Sequence, residues 1–191
     1  NLFAAPVPTI PAANVISMFS DSYTNVAVDT WRTSWSQANL EDIDISGNKT
    51  KKYSALNFVG IEATTTPINA SAMTFFHVDI WSSNFTEFKV KLVDFGANGA
   101  FGGGDDKEHE ITISNPEKEK WVSLDIPLSS FTGLTSAVGG GGGRSIVSSA
   151  GATGGSGGGG AGGGFVAVGL QEKLGGDGSG DDGDGEPDQD G

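Results

Sequence analysis

The sequence contains no cysteine, only two histidines and no apolar run that approaches the length of a membrane span. Without cysteine, disulfide bonds cannot stabilise the fold. His77 and His109 are too few and too isolated to indicate a catalytic or zinc-binding cluster. A membrane helix needs about 20 consecutive apolar residues, so membrane insertion is not expected.

Basic residues are also scarce. The chain has 11 Lys and Arg against 24 Asp and Glu, which gives a formal net charge of -13. Binding to nucleic acid or to an anionic membrane requires a basic surface, so neither is expected as a partner. The acidity suits a neutral ligand or cations. Because the first residue, Asn1, is not a methionine, we expect a mature chain that has lost a targeting segment, and therefore a secreted or cell-surface protein.

Composition divides the 191 residues into three parts. Residues 1–13 contain three prolines and predict an extended N-terminal lead-in. Residues 14–174 contain the patterned sequence and predict one β-sandwich domain. Residues 175–191 are rich in glycine and aspartate and contain no apolar residue, so they predict an acidic linker or cation-binding tail.

Within that domain, more than half of residues 139–164 are glycine. Such a segment is expected to be disordered, yet a sandwich built only from the preceding residues would be one or two strands short. We therefore interpret part of this glycine as a placeholder for residues of other identity. Recovery of a peptide with the printed glycine run by mass spectrometry would contradict this interpretation.

Two segments alternate clearly between apolar and polar side chains. Residues 73–81 are predicted to point Phe76, Val78 and Ile80 inward, and residues 86–93 are predicted to point Phe88, Val90 and Leu92 inward. The short stretch "SSNF" between them suits a hairpin. The outward residues His77, Trp81 and Lys89 should then be neighbours. Alternatively, this is an ordinary solvated face on which Asp79 pairs with Lys89 or Lys91.

Other short alternating runs are separated by turn-like sequences. The pairs are "EDIDIS" and "KKYSALNFVGIEA" around "GNKT", and "EHEITIS" and "KWVSLDIPLSSF" around "NPEKE". No segment has convincing helical periodicity. We predict an all-β fold, an antiparallel β-sandwich of the jelly-roll kind.

Several stretches also resemble a known family. They are "PAANVISMFSDSYTNVAVDTWRTSWSQA", "KYSALNFVGIEA", "MTFFHVDIWSSN" and "KWVSLDIPLSSFTGL". In this order they resemble the β-sandwich carbohydrate-binding modules attached to secreted family 16 glycoside hydrolases of Bacteroidetes, which are laminarinase-like β-glucanases, and to related surface proteins. The resemblance covers about residues 11–134. It implies a carbohydrate-binding-module-like fold and a β-glucan ligand such as laminarin.

Two features of the resemblance concern the metal and the closing strand. Such sandwiches often hold a structural calcium ion in the loop after the first strand, where "FSDSY" supplies Ser20 and Asp21. Calcium requires six to eight oxygen ligands, and these residues are a partial set. The family usually ends in a strand with an Asp-Asn pair, which is missing after Leu134, and "FVAVGLQEKL" is a poor substitute.

Aromatic and polar residues in two stretches suggest a sugar-binding surface. Trp31, Thr33, Trp35 and Gln37 would share one face if their segment were a strand. Tryptophan can stack on the apolar face of a pyranose while polar neighbours bond to its hydroxyls. The alternative is that Trp31 or Trp35 packs into the core or caps its end. The candidate carbohydrate-binding residues are Trp31, Trp35, Gln37, His77, Asp79, Trp81 and Lys89.

Catalysis is not expected. Glycoside hydrolysis needs two carboxylates that face each other across a cleft, and the acidic residues here fall mostly in predicted turns and in the tail. We therefore predict a non-catalytic carbohydrate-binding module, whose partners are polysaccharides or oligosaccharides and further domains or surface proteins, such as the catalytic domain of a larger glycoside hydrolase. The alternative is a structural or adhesive β-sandwich domain of a surface protein assembly.

Overall fold

The computed structural model describes residues 3–98, 100, 102–134, 144–149 and 165–173. Within them the chain forms strands and two short 3₁₀ turns, Ala12–Asn14 and Leu128–Ser130. The prediction of an all-β protein is confirmed, and no described helix is long and apolar enough to cross a membrane. The strands are β1 (Val15–Phe19), β2 (Gln37–Ile45), β3 (Asn48–Ile61), β4 (Phe75–Trp81), β5 (Glu87–Asp94), β6 (Lys107–Ser114), β7 (Val122–Pro127), β8 (Arg144–Ser149) and β9 (Phe165–Lys173).

The strands pair into two sheets that share β3. The large sheet has the order β2, β3, β9, β4, β7, and β1 pairs with the last residues of β9. The small sheet has the order β3, β8, β5, β6. Residues 51–54 of β3 pair with β9, whereas residues 59–61 pair with β8. All of these pairings are antiparallel, so the predicted antiparallel sandwich is confirmed.

The core lies between the inner faces of the two sheets. As predicted from the alternation, Phe76, Val78 and Ile80 of β4 are buried, and so are Phe88, Val90 and Leu92 of β5. Tyr53, Val59 and Ile61 of β3 join the same cluster. Burial of such side chains typically contributes about 1.5–3 kcal/mol each.

The β2–β3 hairpin turns at the start of the predicted turn-like stretch "GNKT", whose last three residues, Asn48, Lys49 and Thr50, belong to β3. Its loop consists of Ser46 and Gly47, which both have positive φ, 55° and 84°. Two-residue loops of this kind fit the right-handed twist of paired strands. Asp44 fixes the loop by accepting a hydrogen bond from the Gly47 amide, with 2.7 Å between the oxygen and nitrogen atoms.

The predicted hairpin between β4 and β5 is wrong. β4 pairs with β7 and β9 in the large sheet, whereas β5 pairs with β6 and β8 in the small sheet. Residues 82–86 cross from one sheet to the other, with Ser82 and Phe85 buried. The Ser82 hydroxyl accepts hydrogen bonds from the amides of Asn84 and Phe85. A short polar connection can turn a hairpin or cross a sandwich, and the inward residues are the same in both cases.

The last strands correct another expectation. β9 closes the large sheet between β4 on one side and β3 and β1 on the other. It does so although its sequence, "FVAVGLQEK", lacks the Asp-Asn pair and was expected to be a poor substitute for the family's closing strand. β8 lies inside the glycine-rich segment 139–164, of which only residues 144–149 are described. The placeholder interpretation stays a prediction. So do the domain boundaries, because the predicted linker, residues 175–191, lies outside the described residues.

Candidate functional site

The most exposed tryptophan of the described chain, Trp35, lies on a tightly bonded turn before β2. The buried residues Thr33 and Ser36 bracket it, and their hydroxyl oxygens are 2.7 Å apart. The turn is tied to β3 because the Thr33 amide donates to the Gly60 carbonyl (3.1 Å) and the Gly60 amide donates to the Ser36 hydroxyl (2.9 Å). Half of Trp35 is exposed despite this anchoring. The ring is therefore held in place and presented to solvent.

Gly60 provides the space that the Trp35 ring occupies. A Cβ atom at this position would lie 2.2 Å from a ring carbon of Trp35 and 2.8 Å from the Thr33 hydroxyl oxygen. The Trp35 ring also lies beside Phe58, whose ring centroid is 6.2 Å away at an interplanar angle of 25°. Offset-stacked aromatic pairs of this kind are mutually stabilising. Together they form a small aromatic surface.

This aromatic surface belongs to the outer face of the small sheet. Gly60 alternates with the buried Val59 and Ile61, so it faces away from the core. Position 147 of β8 pairs with both Gly60 and Lys91, and Lys91 pairs with Glu110 of β6. Directly paired residues share a face. Trp35 therefore stands at one end of a row that crosses four strands, a distance of about 14 Å at the usual strand spacing.

Charged side chains of β5 and β6 also lie on this outer face. Lys89 lies 3.3 Å from Glu87 and 3.9 Å from Glu110, and Lys91 lies 3.2 Å from Glu108. These are partly exposed ion pairs, which contribute little to stability individually. Next to Phe58, the Asn57 side-chain amide donates to the side-chain oxygen Oε1 of Gln37 (2.8 Å). The face thus combines an aromatic surface, an amide pair and a network of charged hydrogen-bonding groups.

Three of the predicted site residues, Trp35, Gln37 and Lys89, are brought to this outer face. The assumed strand through Trp31, Thr33, Trp35 and Gln37 is wrong, because β2 begins only at Gln37 and the preceding residues form the turn on Gly60. The sequence gives no local signal for that turn, since its anchor lies 24 residues away.

Trp31 caps the end of the core, which was one of the two interpretations left open. Its ring meets Phe19 edge-on at 5.4 Å and an angle of 64°. The buried Tyr53 hydroxyl donates to the Trp31 carbonyl (2.6 Å). The Lys51 ammonium lies 5.3 Å from the Trp31 ring centre and forms a 2.6 Å ion pair with Asp42. Trp31 therefore stabilises the sandwich end.

His77, Asp79 and Trp81 lie on the outer face of the large sheet, not beside Lys89. The expected proximity of Lys89 is wrong because β4 and β5 belong to different sheets. For the same reason Asp79 does not pair with Lys89, whose described ion pairs are with glutamates. Trp81 is half-buried.

His77 sits between two carboxylates. Its Nδ1 atom is 2.8 Å from Asp125 and its Nε2 atom is 3.4 Å from Asp79. Ser123 also hydrogen-bonds to Asp79. Burial lowers the pKa of His77, but the hydrogen bonds and negative charges of Asp79 and Asp125 outweigh burial, so its pKa is raised. Ser123 and Asp125 were not among the predicted site residues, although the alternation of "VSLDIP" places both on the outward face.

The N-terminal lead-in packs over this cluster. The Trp121 indole donates to the Phe3 carbonyl (2.7 Å), and the Tyr23 hydroxyl donates to the Ile10 carbonyl (2.6 Å). A pocket of about 180 Å³ remains between the lead-in and the cluster of His77 and Asp79. No sequence pattern predicts this packing, because Phe3 and Trp121 are 118 residues apart.

Ser20 and Asp21, the predicted calcium ligands, lie in the loop after β1. Asp21 accepts a hydrogen bond from the Lys49 amide (2.6 Å) and lies 3.8 Å from the Lys49 ammonium. The Ser20 carbonyl accepts from the Asn25 side chain (3.0 Å). Among the residues that the structure describes, no three acidic or histidine side chains form a group able to hold a metal ion. One carboxylate beside a lysine fits calcium poorly, and calcium binding stays a prediction.

Comparison with solved structures identifies the fold. A family 11 carbohydrate-binding module from Clostridium thermocellum, in complex with a β-1,3-1,4-mixed-linked tetrasaccharide, has a TM-score of 0.55 and 14% identity; the match covers 87% of this chain and 97% of that chain. A family 30 module of a cellulosomal cellulase of Clostridium thermocellum has a TM-score of 0.56 and 13% identity over 83% and 96% of the two chains. Another family 30 module has a TM-score of 0.53 and 13% identity over 84% and 87%.

These structures show that the chain has the β-sandwich fold of carbohydrate-binding modules. At 13–14% identity the likeness concerns the fold alone. No protein-family model matches the chain, and no curated protein sequence matches it.

Proposed function

We propose that this domain is a non-catalytic carbohydrate-binding module of a secreted or cell-surface protein, and that it binds a β-glucan chain on the outer face of the small sheet. The single observation that carries the proposal is Trp35. Half of this large side chain is exposed, and a turn with two buried hydroxyls holds it there. A protein gains nothing in stability from exposing tryptophan, so a fixed and exposed ring favours a binding role.

The chemistry of this face suits a neutral sugar chain. The Trp35 ring offers a flat apolar surface to the C–H face of a pyranose. Gln37 and Asn57 supply amide donors and acceptors beside it, and Lys89 and Lys91 supply donors further along the row. The row is about 14 Å long, at about 4.8 Å per strand, which exceeds one pyranose ring and favours an oligosaccharide.

The preference for β-glucan rests on two supports. The sequence resembles modules of laminarinase-like enzymes over about residues 11–134, and a structurally similar module is complexed with a β-1,3-1,4-mixed-linked tetrasaccharide. The described carboxylates of this face, Glu87, Glu108 and Glu110, lie beside lysines. Such pairing favours a hydrogen-bonding role over acid-base catalysis, which requires a carboxyl group with a suitably raised pKa.

The test is a binding titration with laminarin, mixed-linkage β-glucan and starch, on the wild-type chain and on Trp35→Ala. We expect binding to at least one β-glucan, and a loss of about 1–3 kcal/mol of binding free energy in Trp35→Ala, by analogy with other aromatic stacking sites. Trp121→Ala is the matched control, because Trp121 adjoins the large sheet, and its affinity should equal that of the wild type.

Two outcomes would contradict the proposal. If no glucan binds, the alternative of a structural or adhesive domain of a surface assembly gains weight. If glucans bind equally well to the Trp35→Ala variant, the binding surface lies elsewhere, and the outer face of the large sheet with His77, Asp79 and Trp81 becomes the next candidate.

A further inference from the structure

Residues 3–10 form an extended strap over the outer face of the large sheet. Its ends are held by Trp121, which donates to the Phe3 carbonyl, and by Tyr23, which donates to the Ile10 carbonyl. Pro6 and Pro8 keep φ near -65° and have no amide hydrogen to offer the sheet. The strap carries no charged side chain. It is therefore an apolar segment attached at two points.

The polar groups beneath the strap form one connected cluster. His77 contacts Asp125 through Nδ1 and Asp79 through Nε2. A neutral imidazole has only one N–H group, so both carboxylates can receive a hydrogen bond only from the protonated ring. Asp79 is buried, whereas 47% of the Asp125 side chain is exposed at the open edge. The arrangement is complete only when His77 is charged.

The charge of this cluster depends on one proton. With His77 protonated, one positive and two negative charges sum to -1; with His77 neutral, the sum is -2. Covering a net charge of -2 with an apolar segment costs more than covering -1, because the lost hydration is greater. One carboxylate would also lose the hydrogen bond from the imidazole and face a ring nitrogen lone pair.

We propose that the strap is a pH-sensitive switch, docked on the large sheet while His77 is protonated and released when His77 loses its proton. Every element around His77 is consistent with this assignment. β7 contributes Asp125 and the uncharged Ser123, and β4 contributes Asp79. On β9 the partner of His77 is the uncharged Gln171, and Lys173 is two positions further along. Among these groups, His77 is the one whose ordinary pKa lies near neutral pH.

The charge of the cluster sets the direction of the transition: because the docked strap covers a net charge of -1 at a lower cost than -2, the pKa of His77 is higher in the docked state than in the released state. Burial lowers that pKa, but the hydrogen bonds and charges of Asp79 and Asp125, which belong to the sheet, place it above the ordinary histidine value. A histidine whose pKa is higher in the docked state than in the released state stabilises docking fully below the lower of the two values. That stabilisation is lost as the pH rises through the higher value. We therefore expect release at neutral to mildly alkaline pH, above the ordinary range of histidine.

A spin label on the strap tests the proposal. The chain has no cysteine, and Val7 is 78% exposed, so Val7→Cys provides a single, largely exposed attachment site on the strap. Label mobility is measured by electron paramagnetic resonance between pH 5 and pH 9. The ratio of mobile to immobile label should rise with pH. The total rise should be about tenfold for each unit of difference between the pKa of His77 in the docked state and its pKa in the released state.

The two histidines of the chain supply a matched pair of variants. In the Val7→Cys background, His77→Gln should give a mobile label at every pH, because the cluster cannot gain the positive charge. His109→Gln should retain the transition, because the described contacts of His109 are with Thr132 and Phe131, away from the strap. Far-UV circular dichroism verifies that each variant is folded at every pH.

Asp125→Asn keeps the proposal testable if His77→Gln does not fold. Removal of this half-exposed carboxylate leaves Asp79 as the remaining acidic partner of His77, so the transition should move to lower pH. A label mobility that does not change with pH would overturn the proposal. So would a transition that persists in His77→Gln, disappears in His109→Gln, or stays at the same pH in Asp125→Asn.

Discussion

The indole ring of Trp35 lies on the backbone of Gly60, so closely that a Cβ atom at position 60 would come within 2.2 Å of it. No real Cβ contact is that short, so any larger residue must displace the ring or the strand. Gly60 also bonds to both ends of the turn that carries Trp35, through its amide and its carbonyl group. The two residues form one unit although they are separated by most of β2 and β3.

Gly60→Ala should displace Trp35 and weaken glucan binding. The added methyl group overfills a packed contact, which typically costs about 1–3 kcal/mol of stability. If Trp35 carries the stacking contact, the binding free energy should fall by a similar amount to that in Trp35→Ala. Chemical denaturation and a glucan titration measure the two effects.

The double variant Trp35→Ala/Gly60→Ala controls for indirect effects. Without the ring, the Cβ atom at position 60 meets chiefly the Thr33 hydroxyl at 2.8 Å. Gly60→Ala should therefore cost less stability in the Trp35→Ala background than in the wild type, since contacting residues are not additive. Equal costs in both backgrounds would mean that the ring and the glycine are not coupled.

The strands were predictable because burial imposes a two-residue period on the sequence. Phe76, Val78 and Ile80 point inward as the alternation indicates. The pairing of the strands was harder to predict than their positions, because residues 82–86 suit a hairpin and a crossing between sheets equally well. The alternation alone cannot distinguish these, and the wrong choice placed Lys89 beside His77.

The candidate site was predictable only in its residue types. Trp35, Gln37 and Lys89 do share one face, but Trp31 caps the core and His77 belongs to the opposite sheet. What separates Trp31 from Trp35 is the turn anchored on Gly60, a contact between distant residues. Local propensity carries no information about such contacts.

Trp31→Ala should have the opposite profile to Trp35→Ala. Trp31 packs edge-on against Phe19 beside the Lys51 ammonium, at the end of the core. Its loss should lower the free energy of unfolding by somewhat less than the about 3–5 kcal/mol typical of a fully buried tryptophan. Glucan affinity of the folded fraction should be unchanged. A folded Trp31→Ala variant with normal stability and weakened binding would show that the roles are reversed.

Tyr53→Phe isolates one buried hydrogen bond of the same region. The Tyr53 side chain is fully buried. Its burial raises its pKa, and the negative charge of Asp42 raises it further. Its hydroxyl donates to the Trp31 carbonyl at 2.6 Å. Loss of the hydroxyl should lower the free energy of unfolding by about 0.5–1.5 kcal/mol. Tyr23→Phe, which removes a bond to the strap instead, should leave global stability closer to that of the wild type.

Asp29 connects the start of the loop that carries Trp31 and Trp35 to the chain after β3. Its carboxylate accepts hydrogen bonds from the amides of Thr64 (2.6 Å) and Thr65 (2.8 Å). These hydrogen bonds lower the pKa of Asp29 to about 2, and the bond from the Thr65 amide has the largest effect. A carboxyl group with a lowered pKa stabilises the fold fully above its unfolded value, about 3.9. That stabilisation is lost as the pH falls from there through 2.

The melting temperature should therefore fall between pH 4 and pH 2, and part of that fall should be missing in Asp29→Asn, which has no charge to lose. Glu41→Gln is the matched control, because Glu41 forms an exposed ion pair with Lys52 on the β2–β3 hairpin, and such pairs contribute little. Its melting temperature should follow the wild-type curve. Parallel acid profiles of Asp29→Asn and the wild type would mean that the carboxylate of Asp29 does not hold the loop.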